Sequence, residues 1–194
     1  MKEGLTGVSV KTPENIALGA GTIHIGLTYE EGTGWNFKDT CIGATKGGNS
    51  FEYVPELYDV EPDGLGIKIT GLTEIVGSTA SLTVNGLEVL KADLIKAALI
   101  GKEDTSEDAT MTKFVPKSHI EENDYFKNLA FVGKTLKGEK IIIIIDTALC
   151  TSGFKLEGQS KEANAIEYVF EAYGDIAGDL ESLGVRIYRP KVTA

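Results

Sequence analysis

Apolar and polar residues alternate along much of this chain, and the alternation predicts strands. Ile23, Ile25, Leu27 and Tyr29 interleave with Thr22, His24, Gly26 and Thr28. That is a half-buried strand about eight residues long, entered through a bend or close backbone approach at Ala20-Gly21. A turn follows at Glu31-Gly32-Thr33-Gly34. Ile67 and Ile69 alternate with Lys68 and Thr70 as a further strand. In 80–90, Leu82 and Val84 share one face, and after Gly86 the phase passes to Leu87 and Val89, which predicts a β-bulge. Strands are expected over 125–133 and 139–146, joined by a Lys137-Gly138-Glu139 hairpin turn. The second holds five consecutive isoleucines, Ile141 to Ile145. Apolar on both faces, it is either a central strand covered on both sides or a strand with its second face in a subunit contact. Beyond a Gly158-Gln159-Ser160 turn, Ile166, Tyr168 and Phe170 alternate with Glu167 and Glu171, and 184–189 make a short last strand before Pro190.

One segment has the helical period. In 91–100, Leu94, Ile95, Ala98 and Leu99 form a stripe, with Gly101 as the stop. A helix of about ten residues is marginal alone, so it must dock on the sheet. The acidic stretch 102–124 is expected to be a long loop or an exposed hairpin. The segment 41–64 fits neither period. It reads as a strand, a Gly47-Gly48 break, an extended stretch through Pro55 and a Pro62-Asp63-Gly64 turn. Pro55 removes a ladder donor, which places its stretch on a sheet edge or in an arm. Phe51, Tyr53, Val54, Leu57, Tyr58 and Val60 nevertheless carry too much apolar surface to be left in water. The segment 45–61 is therefore expected to be an arm outside the core strands, covered by another copy of the chain. Phe51, Tyr53, Val54, Leu57 and Tyr58 are its candidate interface residues.

Composition narrows the class. A chain of 194 residues is most simply one domain, 1–194, able to bury roughly 70% of its unfolded surface. No window approaches the roughly 20 apolar residues that cross a bilayer, and the opening residues do not resemble a signal peptide. Cys41 and Cys150 lie far apart, so reduced thiols rather than a disulfide framework are expected. The net charge of −10 opposes general nucleic-acid binding, which relies on clustered Lys and Arg. It suits a soluble acidic protein, or a surface that passes near DNA without holding it.

Candidate chemistry is sparse. His24 and His119 have no partner at metal-ligand spacing, and each is expected to be solvated or satisfied by neighbours. Cys41, in an apolar strand, and Cys150, at a strand end, are expected to be buried inert thiols. Gly133-Lys134-Thr135 imitates the end of a phosphate loop. The motif's earlier glycine falls on Asn128, however, and the chain returns to strand instead of opening a helix. The acids of 103–108 lack the spacing of a calcium loop. No catalytic, metal or cofactor-binding residues are assigned.

The order of features resembles the major tail protein, or tail tube protein, of long-tailed bacteriophages and prophages. The matching pieces are Pro13-Glu14-Asn15-Ile16 with Gly19-Ala20-Gly21; Ile42-Gly43-Ala44-Thr45-Lys46-Gly47-Gly48-Asn49-Ser50-Phe51; Val60-Glu61-Pro62-Asp63-Gly64; the helix at 94–99; and 164–173 with Gly174-Asp175. The resemblance implies a β-sandwich or barrel with one flanking helix. It also implies subunits that close into six-membered rings and stack into a tube, the early arm reaching an adjacent ring.

The acidic 102–124 matches no motif of that family. A tube lined by acids would repel phosphates and let DNA slide. The expectation is a non-enzymatic virion structural protein without cofactors, made in the host bacterial cytoplasm and located in the tail. Its partners would be itself and other tail proteins (tape measure, terminator, baseplate), with DNA only in passing and no membrane. The alternatives are a stand-alone binding module, for instance for carbohydrate with Trp35, Phe37 and Tyr58 as a platform, and a type VI-like secretion tube subunit.

Overall fold

A computed structural model describes residues 8, 9, 11–64, 66–158, 163–179 and 181–191; Gln159 and Ser160 of the expected turn lie outside them. The first elements are a short helix α1 (Thr12–Asn15), β1 (Ala17–His24), β2 (Tyr29–Glu30), β3 (Gly34–Trp35), a helical turn α2 (Phe37–Thr40), β4 (Thr45–Asp59) and β5 (Thr73–Gly86). Then come α3 (Ala92–Leu99), β6 (Gly101–Asp104), β7 (Lys113–Pro116), a 3-10 turn (Glu122–Asp124), β8 (Phe126–Thr135), β9 (Lys140–Cys150), β10 (Ile166–Ala172) and β11 (Val185–Tyr188). The chain is mainly β with few helices, as its alternation predicts.

The main sheet runs β1-β8-β9-β10-β5-β4, and β11 also pairs with β9. Every ladder is antiparallel. The two ends of this path come together, with Asn49 Nδ2 donating to Ala20 O at 2.8 Å and no ladder between β1 and β4. Inside the curl, Ile23, Leu82, Val84, Leu129, Tyr168 and Phe170 form the main core. Helix α3 closes it with Leu94, Ala97 and Ala98, while Ile95 and Leu99 of the expected stripe are half-buried. Gly21 (φ +68) makes the close approach expected of it, since a Cβ there would lie 2.3 Å from the Phe131 ring.

The isoleucine run lies in the middle of the sheet. Strand β8 lines one edge of β9, while β11 and then β10 share the other. Ile145 enters the main core; Ile142 and Ile144 join Leu27, Ala130 and Val132 in a second cluster beneath Trp35 and Phe37. The chain itself therefore covers both faces at these three positions.

Several expectations need correction. The first strand ends at His24, and Gly26 (φ +72) turns the backbone before Leu27 is buried in the second cluster. No strand forms at 67–70: this stretch belongs to the connection 60–72, which is closed by Val60 N donating to Leu72 O at 2.8 Å. The phase change at Gly86 is the end of β5 rather than a bulge; the nearby irregularity lies in β4, where Gly47 and Gly48 have positive φ and the register shifts between Thr45 and Asn49. The helix ends in a left-handed Ile100 (φ 45), not in a left-handed Gly101. Of the two forms expected for the acidic stretch, it takes the hairpin, β6–β7, followed by the 3-10 turn.

Candidate functional site

The most unusual surface of the molecule is the β4–β5 ribbon. The two strands pair from Thr45↔Gly86 to Asp59↔Thr73, and fifteen extended residues span roughly 50 Å. Strand β10 supports β5 only from Ser81 to Gly86. Beyond Ala80 the sheet has just its last two strands, and a two-stranded hairpin is marginal in water.

This unsupported half is apolar. Leu57 and Tyr58 are each 58% exposed, Ile75 67% and Val76 58%, and Tyr53 and Val54 are exposed as well. The register shift between Glu56 and Leu57 leaves Val76 as the extra residue opposite them. Pro55 is tolerated because β4 ends the strand order and so offers a free edge. The tip is fastened by polar contacts: Thr73 Oγ1 donates to Asp59 Oδ1 at 2.6 Å, and Lys68 pairs with the same carboxylate. The Lys68 and Thr73 hydrogen bonds hold the Asp59 carboxyl below its usual range. A groove of about 990 Å³ lies between Tyr53, Ile75 and Val76 of the ribbon and Leu183, Val185 and Ile187 in and before β11.

Of the five predicted interface residues, Tyr53, Val54, Leu57 and Tyr58 lie on the exposed half. Phe51 does not: it is half-buried and packs on the main core. The expectation that 45–61 stands outside the core strands is thereby overturned for 45–52, which is the integrated end of β4. The sequence does not single out Ile75 and Val76, since the stretch from Thr73 to Gly77 shows no clean alternation; the pairing of Ile75 with Leu57 and the bulge at Val76 beside it mark them.

The other candidates fall elsewhere. His24 is buried, 4% exposed, and satisfied. Its Nδ1 lies 2.9 Å from Thr40 Oγ1 and its Nε2 2.9 Å from Thr22 Oγ1. The Thr40 hydroxyl already donates to Asn36 O at 2.9 Å, so it accepts from Nδ1–H, and Nε2 accepts from Thr22. Burial, with the Lys140 charge added, pushes the His24 pKa down. Cys150 is a buried thiol whose pKa burial raises. Cys41, contrary to expectation, is exposed, because it follows α2 and makes only an isolated bridge to His24.

Trp35 packs edge-on between Tyr29 and Tyr188, at 5.4 and 5.0 Å, and tilts against Phe37. Tyr58 sits away on the ribbon, so no ring contact joins it to Trp35 or Phe37 among the described residues. No protein-family model matches the chain, and no curated protein matches it.

Proposed function

We propose that this chain is a self-assembling structural subunit of the phage or prophage tail-tube type, without catalytic activity and without a cofactor. The curled sheet with its flanking α3 is compatible with the β-sandwich or barrel that the resemblance implies. The observation that carries the reading is the unsupported half of the β4–β5 ribbon. Its six large apolar side chains remain 46–67% exposed, and burying what is left of each is worth roughly 1–2 kcal/mol. A second copy supplies that burial, and repetition of such a contact builds a ring or a stack. The edge-to-face arrangement around Trp35 offers no flat stacking platform, which disfavours the carbohydrate module.

The test is electron microscopy and sedimentation of the concentrated protein, together with a filter assay on duplex DNA. Rings or tubes that do not retain DNA at physiological salt are expected. A protein that stays monomeric at every concentration overturns the assembly reading, and micromolar DNA binding with a steep salt slope overturns the acidic-conduit reading.

A further inference from the structure

The two ends of β8 differ in charge. At the C-terminal end, Lys134 stands directly opposite Lys140 in the β8–β9 ladder. Like charges facing across a ladder repel. Among the described residues neither lysine makes an ion pair. Both line a cleft of about 430 Å³ whose other walls are Gly19, Gly21, Thr22, His24, Phe37 and Val132, with no carboxylate. The Lys140 ammonium is positioned 3.9 Å over the Phe37 ring. In a chain with 29 acidic and 19 basic residues, this cleft runs against the overall sign.

At the N-terminal end, Phe126 shares a hollow with Gly101, Glu103, Lys117 and Asp124. The β6–β7 hairpin leaves the body there, bearing Glu103, Asp104, Glu107 and Asp108 on exposed positions. Lys96 and Lys113 answer Glu103 and Glu107, whereas among the described residues Asp104 and Asp108 are engaged only by the amides and hydroxyl of Thr105 and Thr110. Eight residues of strand separate Phe126 from Lys134, roughly 26 Å.

We infer that the Lys134–Lys140 cleft of one copy receives the acidic β6–β7 hairpin of the next. The two surfaces are different and lie toward opposite ends of one strand, so a copy that offers its cleft to one neighbour and its hairpin to another makes a heterologous, head-to-tail contact, the geometry that closes a ring or propagates a stack. This inference rests on the self-assembly reading and adds a second contact, polar and salt-sensitive, beside the apolar ribbon. It also gives the acidic hairpin a role.

Sedimentation velocity on four samples tests it: the parent, Lys134→Glu with Lys140→Glu, Glu107→Lys with Asp108→Lys, and an equimolar mixture of the two variants. The parent associates, and more weakly as salt rises. Each variant alone associates at least about tenfold more weakly. The mixture recovers, because the acidic cleft of one variant meets the basic hairpin of the other while the remaining pair keeps its original signs. Lys134→Gln with Lys140→Gln gives an intermediate loss and guards against misfolding of the reversed variant, with circular dichroism as the control. Parent-like association of the Lys→Glu variant, or failure of the mixture to recover, overturns the inference and leaves the ribbon reading standing. A parent that never associates overturns both.

Discussion

From Asn49 to Glu52 and from Ser81 to Val84 the β4–β5 ribbon lies against β10 and the core; from Tyr53 to Asp59 and from Thr73 to Gly77 the same two strands pair only with each other. Residue types hardly differ between the halves. Phe51, Leu82 and Val84 in one correspond to Tyr53, Leu57 and Ile75 in the other. Leu82 is nevertheless 1% exposed and Ile75 67%. The difference comes from a neighbour: β10 ends its pairing with β5 at Ser81. Strand formation is thus set by local pattern and pairing, whereas burial is set by where an adjacent strand stops. A strand that outruns its neighbour keeps its apolar side chains available for another molecule.

The largest effects should separate the two halves. Leu82→Ala is expected to cost about 2–5 kcal/mol in urea unfolding, because it empties the main core. Deleting 46–55 should prevent folding altogether, since it removes the integrated end of β4. Leu57→Ser and Ile75→Ser should each change monomer stability by no more than about 0.5 kcal/mol. Comparable losses at Leu82 and Ile75 would show that the ribbon is buried in the monomer, and the comparison would collapse.

A cleaner dissection shortens the ribbon. Replacing 56–77 by Asn-Gly joins Pro55 to Ser78, which face each other in the ladder, through a turn suited to a hairpin. The expected product keeps its circular dichroism spectrum and its cooperative unfolding but no longer assembles. Tubes from this variant would remove the ribbon from the interface; an unfolded product would make its outer half a core element.

A smaller, kinetic contrast is available in the thiols. Cys41 should react with a thiol reagent in the native protein within minutes, and Cys150 only at the rate of unfolding. One thiol reacting in native protein and two in denatured protein is the expected stoichiometry. Two fast thiols would contradict the packing of β9.

The alternation at Ile23, at Leu82 and Val84, and at Ile166 to Phe170 was sufficient to find strands, because period 2 reports a half-buried face directly. The arm was only partly legible. Pro55 and the apolar run point to an exposed edge, but no local signal says that β5 pairs along its full length, so the expected arm 45–61 takes in Phe51, which packs on the main core. The Ile67–Ile69 alternation misled because Pro62-Asp63-Gly64 and Gly71 make the tip of a connection, and short alternations in a connection have no partner strand. Cys41 departs from the burial expected of it because its apolar neighbour, Ile42, is buried while the cysteine faces out. The Lys134–Lys140 pair was invisible until register placed the two side by side.

The smallest expected effect concerns pH and the body alone. His24 is buried neutral, and its folded pKa lies below the 6.5 of an unfolded histidine because burial, and then Lys140, disfavour its charge. Above about pH 6.5 both states are neutral and the native protein keeps its full stability. As pH falls below 6.5 the unfolded chain takes up a proton that the folded one refuses, so stability drops until the folded pKa is reached. The lowered carboxylates, Asp59 and Glu88 among them, titrate below this window and lose their contribution only in more acidic solution. The urea midpoint of the parent should therefore decrease from about pH 7.5 to about 5.5. His24→Gln should be less stable at neutral pH, because the paired Thr22 and Thr40 contacts are lost, yet flatter across that window. Lys140→Ala should also flatten it, by less, since Lys140 is the lesser cause of the shift. His119 is exposed and common to all three proteins, so it does not distinguish them. Equal slopes for parent and His24→Gln would show that another group carries the pH response of the body.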